Sequence, residues 1–323
     1  MTGTNPDENN KLWDYIDYKT GQVVKVRLEE LMNKLASDVV ILMSDPLSIV
    51  FPFLKEYPLF DPIKSIQKNS DTFYEAVRYY CDNCSDKDTV FNQLMALGTI
   101  KREDAYYDIG ALISAGMDTT SHLISSSLFF IQKFDKQEKL INQMKESELD
   151  VLKKKNLSEK ELSSLYEKIN NCDYLNYTIK EALRLDAPSS FGIKYIAKKN
   201  IKICDVPIPK DTLISLFLLG PHHDSNQWHK PTEFIPERFD PESEYFDKPG
   251  EPGKMRHPDT LVPFSIGTRV CPGKSLAVFE AKVVISRLLH TIEYEVDQDL
   301  WNDGKARFNV HSQFRVHAKI LKK

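Results

Sequence analysis

The chain is expected to be mainly α-helical with small β-sheets. Three observations predict this. Residues 26–98 and 102–134 place apolar side chains at helical spacing. Residues 136–170 are dense in charge and carry a helix-start signal. Strand patterns are confined to residues 191–219 and the C-terminus. Apolar residues make up 41% of the 323 and charged residues 28%. That is the balance of a folded protein with enough material for a sizeable core.

Taken in order, residues 1–25 are polar and read as a disordered N-terminus. Residues 26–100 read as several helices, with breaks at Asp45-Pro46 and Asp61-Pro62. One long helix is expected from Arg102 to Phe134. It opens on Glu103 and Asp104, which suit the positive end of a helix dipole. Its centre, Ala115-Gly116-Met117-Asp118-Thr119-Thr120-Ser121, is weak: glycine there costs about 1 kcal/mol relative to alanine, and threonine is a mediocre helix former. A local kink is therefore expected. Ser158 and Glu161 form a capping box, and Asp173–Leu185 reads as a helix ended by Pro188. Residues 191–219 read as short strands with turns at Val206-Pro207 and Pro209-Lys210-Asp211. Residues 222–260 are proline-rich loops, and Lys274–Thr291 is a helix. At the C-terminus, Phe314, Val316, Ala318 and Ile320 alternate with Arg315, His317 and Lys319, a half-buried strand expected to pair with Arg307–Val310. The organisation is thus 1–25, 26–100 and 101–323.

The net charge of −4 and a pI near 6.1 give no basic footprint for nucleic acid. The five cysteines, Cys81, Cys84, Cys172, Cys204 and Cys271, are too sparse for a disulfide framework, which points to a reducing compartment. Cys81 and Cys84 have no second pair at zinc-ribbon spacing and read as thiols on a helix turn. A membrane span needs about 20 mostly apolar residues. The most apolar stretch, Val39–Leu54, is cut by Asp45, Pro46 and Pro52, and Met1–Asn10 has no signal-peptide core.

The segment Phe264-Ser265-Ile266-Gly267-Thr268-Arg269-Val270-Cys271-Pro272-Gly273 carries the strongest chemical signal. It is a loop with glycine at two bends that leads directly into a helix. A cysteine at a helix N-terminus has its thiolate favoured, and the thiolate is the form that binds metal. Arg269 offers a fork that matches a carboxylate. A single cysteine beside a single arginine is an ordinary surface feature; phenylalanine, two glycines, arginine and cysteine in this spacing are not.

The segment resembles the haem loop of cytochrome P-450 monooxygenases, F-x-x-G-x-R-x-C-x-G, at every fixed position, and Ala277 and Glu280 continue the likeness. The resemblance implies haem b, with Cys271 as iron ligand, Arg269 on a propionate, Phe264 packed under the ring, and Gly267 and Gly273 shaping the loop. Ala115-Gly116-Met117-Asp118-Thr119-Thr120 resembles the family's A-G-x-D-T-T motif. By that likeness Ala115 and Gly116 leave a groove for dioxygen, and Asp118 and Thr119 are catalytic residues that relay protons. Glu181-Ala182-Leu183-Arg184 alone is an ordinary i,i+3 ion pair. Together with Pro236-Glu237-Arg238-Phe239 it is similar to the family's buried network, with Glu181, Arg184 and Arg238 in those roles. His222 and His223 read as packing or hydrogen-bonding groups.

The likeness covers roughly residues 100–323. It implies the family's fold, with its C-terminal haem-binding part present and a truncated N-terminal region. Residues 26–100 then become a substrate cover and 101–323 the haem-thiolate core. It further implies a monooxygenase acting on a small apolar substrate and dioxygen, with electrons from a separate NADPH-dependent reductase, at the endoplasmic reticulum membrane. The chain itself, without an anchor, is expected to be soluble or peripheral. Lys254, Arg256, Lys274 and Lys282 flank Cys271 in sequence and are expected to form a basic surface for an acidic partner. Lys194 stands where the family places a propionate-binding arginine, and Asp211 where it prefers glycine. Pro272 brings no N–H beside the sulfur, which predicts a more electron-rich ligand. The alternatives are a haem-thiolate isomerase or dehydratase, which the retained Asp118 and Thr119 disfavour, and a non-catalytic haem-binding remnant.

Overall fold

The computed structural model describes residues 11–44, 61–154, 156–296 and 316–320. They divide into two compact units, Met1–Asp118 and Thr119–Lys323.

The first unit begins with a hairpin, β1 (Trp13–Ile16) against β2 (Val23–Val26), in register Trp13↔Val26. This corrects the reading of residues 1–25 as disordered from Trp13 onward. The strands look polar because the other face is not buried: Trp13, Tyr15 and Val26 are buried while the cross-strand pair Asp14 and Lys25 faces out. Asp17 closes the turn, its carboxylate accepting from the Lys19 and Thr20 N–H groups. Helices α1 (Leu28–Ser44), α2 (Asp61–Asp82) and α3 (Val90–Leu97) follow. Helix α3 is capped by the Thr89 side chain at one end and by left-handed Gly98 at the other. Leu31, Ala76, Val77, Phe91, Ala105 and Ile109 form the core. A polar clamp ties the hairpin to it. Asn69 accepts from the Ile16 N–H at 2.7 Å and donates to the Ile16 carbonyl at 2.9 Å. Asn69 also donates to Asp38 at 3.1 Å, and the Tyr15 hydroxyl donates to the other Asp38 oxygen at 3.1 Å. Burial, the largest influence, raises the pKa of the Asp38 carboxyl.

Helix α4 (Arg102–Lys133) runs on into the second unit. It is α-helical without interruption through residues 115–121, so the expected kink is not a break in its secondary structure. Gly110 is the glycine its packing requires: a Cβ there would stand 2.7 Å from Tyr74 Cε1 on α2.

The second unit continues with α5 (Gln137–Glu146), a 3-10 turn (Leu149–Lys153), α6 (Glu159–Asn170) and α7 (Asp173–Leu185). The Ser158–Glu161 capping box is fully formed on α6. Two small sheets follow, β3 (Phe191–Ile196) with β6 (Leu213–Phe217) and β4 (Ile201–Ile203) with β5 (Val206–Ile208). Asp211 takes the left-handed conformation at φ +66. After the short α8 (Leu219–His222) and a long loop comes α9 (Lys274–Thr291). Strand β7 (Ile292–Val296) pairs antiparallel with β8 (Val316–Ile320). The C-terminal strand therefore exists, but the partner seen is β7; Arg307–Val310 lies outside the described residues. The core gathers Phe129, Leu140, Leu175, Ile179, Phe234 and Ile285.

Candidate functional site

The Cys271 loop is built by backbone geometry. Ser265 and Gly267 both have positive φ, +61 and +72, which turns the chain sharply before the 3-10 turn Gly267–Arg269. The Cys271 N–H then donates to the Phe264 carbonyl at 2.9 Å, closing the loop. Gly273 caps α9, and a Cβ there would stand 3.8 Å from Cys271 Sγ. Phe264 packs half-buried against the core of the second unit. Cys271 is a free, exposed thiol, and Ile266, Val270 and Leu276 close to it in sequence are exposed apolar residues. Arg269 is exposed and has no ion-pair partner among the described residues. No group of three His, Cys, Asp or Glu side chains able to hold a metal ion occurs among the described residues. A lone cysteine sulfur among exposed apolar side chains, with an arginine fork two residues away, fits an iron that arrives with its other ligands on an apolar macrocycle with carboxylate edges: Cys271 would hold the metal and Arg269 a carboxylate.

The A-G-x-D-T-T residues lie along α4. Ala115, Gly116 and Thr119 are exposed and Asp118 is half-buried. A Cβ at Gly116 would meet nothing within 4 Å, so the helix surface there is open.

Glu181, Arg184 and Arg238 come together completely, with no exposed side-chain surface on any of them. Glu181 Oε1 accepts from Arg184 Nη2 at 2.8 Å, Arg238 Nε at 2.9 Å and the Ile235 N–H at 2.9 Å; Oε2 accepts from Arg184 Nε at 2.8 Å. Two guanidinium groups outnumber one carboxylate, and backbone carbonyls offset the excess charge. Arg184 donates to the carbonyls of His222, Pro231 and Glu233, and Arg238 to those of His229, Lys230 and Glu233. The network thus pins the loop after α8 to α7.

His222 is buried, and its Nε2 accepts from the Val262 N–H at 2.9 Å, one step before the Cys271 loop. Burial, aided by nearby His223 and Arg184, holds its pKa down at about 4, so the ring is neutral as an acceptor must be. It is a hydrogen-bonding group, as expected. The basic-surface expectation needs correction at two positions. Arg256 donates to the carbonyls of Tyr245 and Arg238 and lies 4.4 Å from the buried Trp228 ring. Lys282 is buried and donates to Asn170 at 3.0 Å. Both are withdrawn from the surface, leaving Lys254 and Lys274 exposed. Arg256 is the residue whose role the sequence hid, because an arginine in a polar loop looks like any solvated cation. Lys194 is exposed on β3, opposite Ser215, and reaches no other candidate residue.

The cytochrome P450 family model matches residues 20–307, reaching well upstream of the motifs. The chain is similar to the cytochrome P450 monooxygenase astA of Talaromyces wortmannii, 29% identical over 219 residues, 65% of this chain and 39% of that protein. It is also similar to steroid 17-alpha-hydroxylase/17,20 lyase of Rana dybowskii, 30% identical over 66% of this chain and 38% of that protein. The probable cytochrome P450 4e1 of Drosophila melanogaster is 28% identical over 67% of this chain and 38% of its own length. The match thus spans about two fifths of these relatives. With a family model matched over most of its length, this chain belongs to the cytochrome P450 family.

Proposed function

We propose that this chain provides the haem-thiolate part of a monooxygenase that inserts one oxygen atom into a small apolar substrate, with electrons from a separate NADPH-dependent reductase. The family binds haem b through a cysteine thiolate. The observation that carries the reading is the loop closed by the Cys271 N–H on the Phe264 carbonyl, which presents the exposed thiol at the start of α9. Bound there, haem would activate dioxygen, with the thiolate donating electron density toward O–O cleavage. Cys271 would hold the iron and Arg269 would hold a propionate. Asp118 and Thr119 would hold and pass protons on α4, beside the open surface at Gly116. The endoplasmic reticulum membrane is the compartment the family likeness favours; among the described residues no helix is long and apolar enough to cross a membrane.

The test is the reduced carbonmonoxy difference spectrum of the haem-supplemented chain and of Cys271→Ala. The strongly red-shifted Soret band of thiolate-ligated iron is expected in the first and not in the second. A histidine-type band, or a band that survives Cys271→Ala, would refute Cys271 ligation. A second reading is a haem-binding part that is inactive by itself. A thiolate band without turnover in the presence of a reductase would select it.

A further inference from the structure

A cavity of about 240 Å³ lies between α7, the Leu261–Ser265 segment and the first half of α9. Ile179, Leu183, Val262, Phe264 and Val278 give it apolar walls. Its charged lining residues are Lys180, Lys274 and Lys282, with no carboxylate among them. None of the three has an ion-pair partner among the described residues. Lys282 is 6% exposed and makes one hydrogen bond, to neutral Asn170, so most of its donor capacity is unused. A buried ammonium without a counter-charge is costly. Burial first, and the Lys180 ammonium second, push the Lys282 ammonium below its usual range, so both would be relieved by an anion between them.

We infer that this cavity binds a small amphipathic carboxylate, its head on the three lysines and its apolar body against Ile179, Leu183 and Val278. The chemistry selects the class. Lys282, buried without an acid, calls for an anion, the exposed Lys180 and Lys274 add to its attraction, and apolar walls reject a bare ion, which would lose its hydration without gaining contacts. At about 30 Å³ for each water-sized group, the cavity has room for roughly eight such groups, a medium-chain carboxylate. The site is separate from the exposed thiol, but Phe264 belongs to both: its side chain lines the cavity while its carbonyl accepts the Cys271 N–H. Occupancy would then reach the backbone of Cys271, a link to the iron that rests on the proposed function above.

Calorimetric titration of the full chain, with and without added haem, tests this with octanoate, octanol, acetate, inorganic phosphate and a short acidic peptide. Saturable binding of octanoate is expected. Replacing octanoate by octanol, or Lys282 by Gln, should weaken binding by about tenfold or more, the scale of a lost charge-assisted hydrogen bond, and acetate, which lacks the apolar body, should bind at least about tenfold more weakly as well. The Cys271 amide resonance should move on saturation. If Lys282→Gln does not fold, the exposed pair Lys180→Gln and Lys274→Gln decides the question in one double variant. Octanol binding as tightly as octanoate, lysine variants binding unchanged, or binding of phosphate or the peptide alone would each overturn the inference. So would no saturable binding at all. None of these outcomes bears on thiolate ligation, which the carbonmonoxy spectrum reads separately.

Discussion

At the scale of single residues, Glu181 shows how one carboxylate organises a region. It accepts four hydrogen bonds, three of them from two fully buried guanidinium groups. Glu181→Gln keeps the shape but removes the charge and sets an NH2 against donors. Breaking one partner out of a buried ion cluster costs about 3–5 kcal/mol. Urea denaturation should show a loss of that size; a loss below about 1 kcal/mol, the scale of an exposed pair, would show the network to be dispensable. Pro272 argues in the other direction, from a missing donor. Pro272→Ala restores an N–H next to Cys271 and should raise the reduction potential of the haem-loaded chain. An unchanged potential would count against the idea. The Cys271 loop was legible because backbone chemistry and ligand chemistry both write into the same ten residues. Arg256 was not, because its hydrogen-bond partners are carbonyls, which leave no trace in a sequence.

At the scale of elements, the amphipathic helices were readable almost to the residue. Asp173–Leu185 and Lys274–Thr291 form as expected, since period and cap chemistry are local. What failed was pairing, which is not local. The hairpin at Trp13–Val26 hid behind its polar face, and β8 found β7. The β7 position is fixed by a side chain outside either strand. Gln132 on α4 donates to the Tyr294 carbonyl at 3.0 Å and accepts the Val296 N–H at 2.5 Å, while the Tyr294 hydroxyl donates to the Leu128 carbonyl at 2.9 Å. Gln132 thus behaves as an extra strand residue carried by a helix. Gln132→Ala should leave two backbone groups of β7 without these partners and destabilise the second unit by about 1–3 kcal/mol. Hydrogen exchange would locate the effect: faster exchange at Val296, with α6 unchanged. Equal protection in variant and parent would rule the clamp out.

At the scale of the whole molecule, two separate cores contain buried titratable groups of opposite sign. In the first unit, Asp38 is held among Tyr15, Asn69, Asp17 and Lys34, and burial raises its folded pKa above the ordinary 3.8. The folded state therefore binds the extra proton, and this contribution to stability is lost as pH rises above 3.8 through the folded value. In the second unit, His222 is lowered from 6.5 to about 4, and His223 and His290 are lowered as well. There the unfolded chain binds the extra protons, so stability is complete above 6.5 and is lost as pH falls toward 4; for His222 the drop corresponds to roughly 3 kcal/mol. The two units should thus respond to rising pH in opposite directions, the first above 3.8 and the second between 4 and 6.5. Opening free energies from native-state hydrogen exchange are the measurement. Amides of α1 and α2 should lose protection as pH rises above 3.8, while amides of α7 and α9 gain it between pH 4 and 6.5. Asp38→Asn should flatten the first trend alone, and His222→Gln the second alone. Trends of the same sign in both sets of amides, or one substitution flattening both, would mean that the two cores open as a single unit and that neither group acts as its surroundings imply.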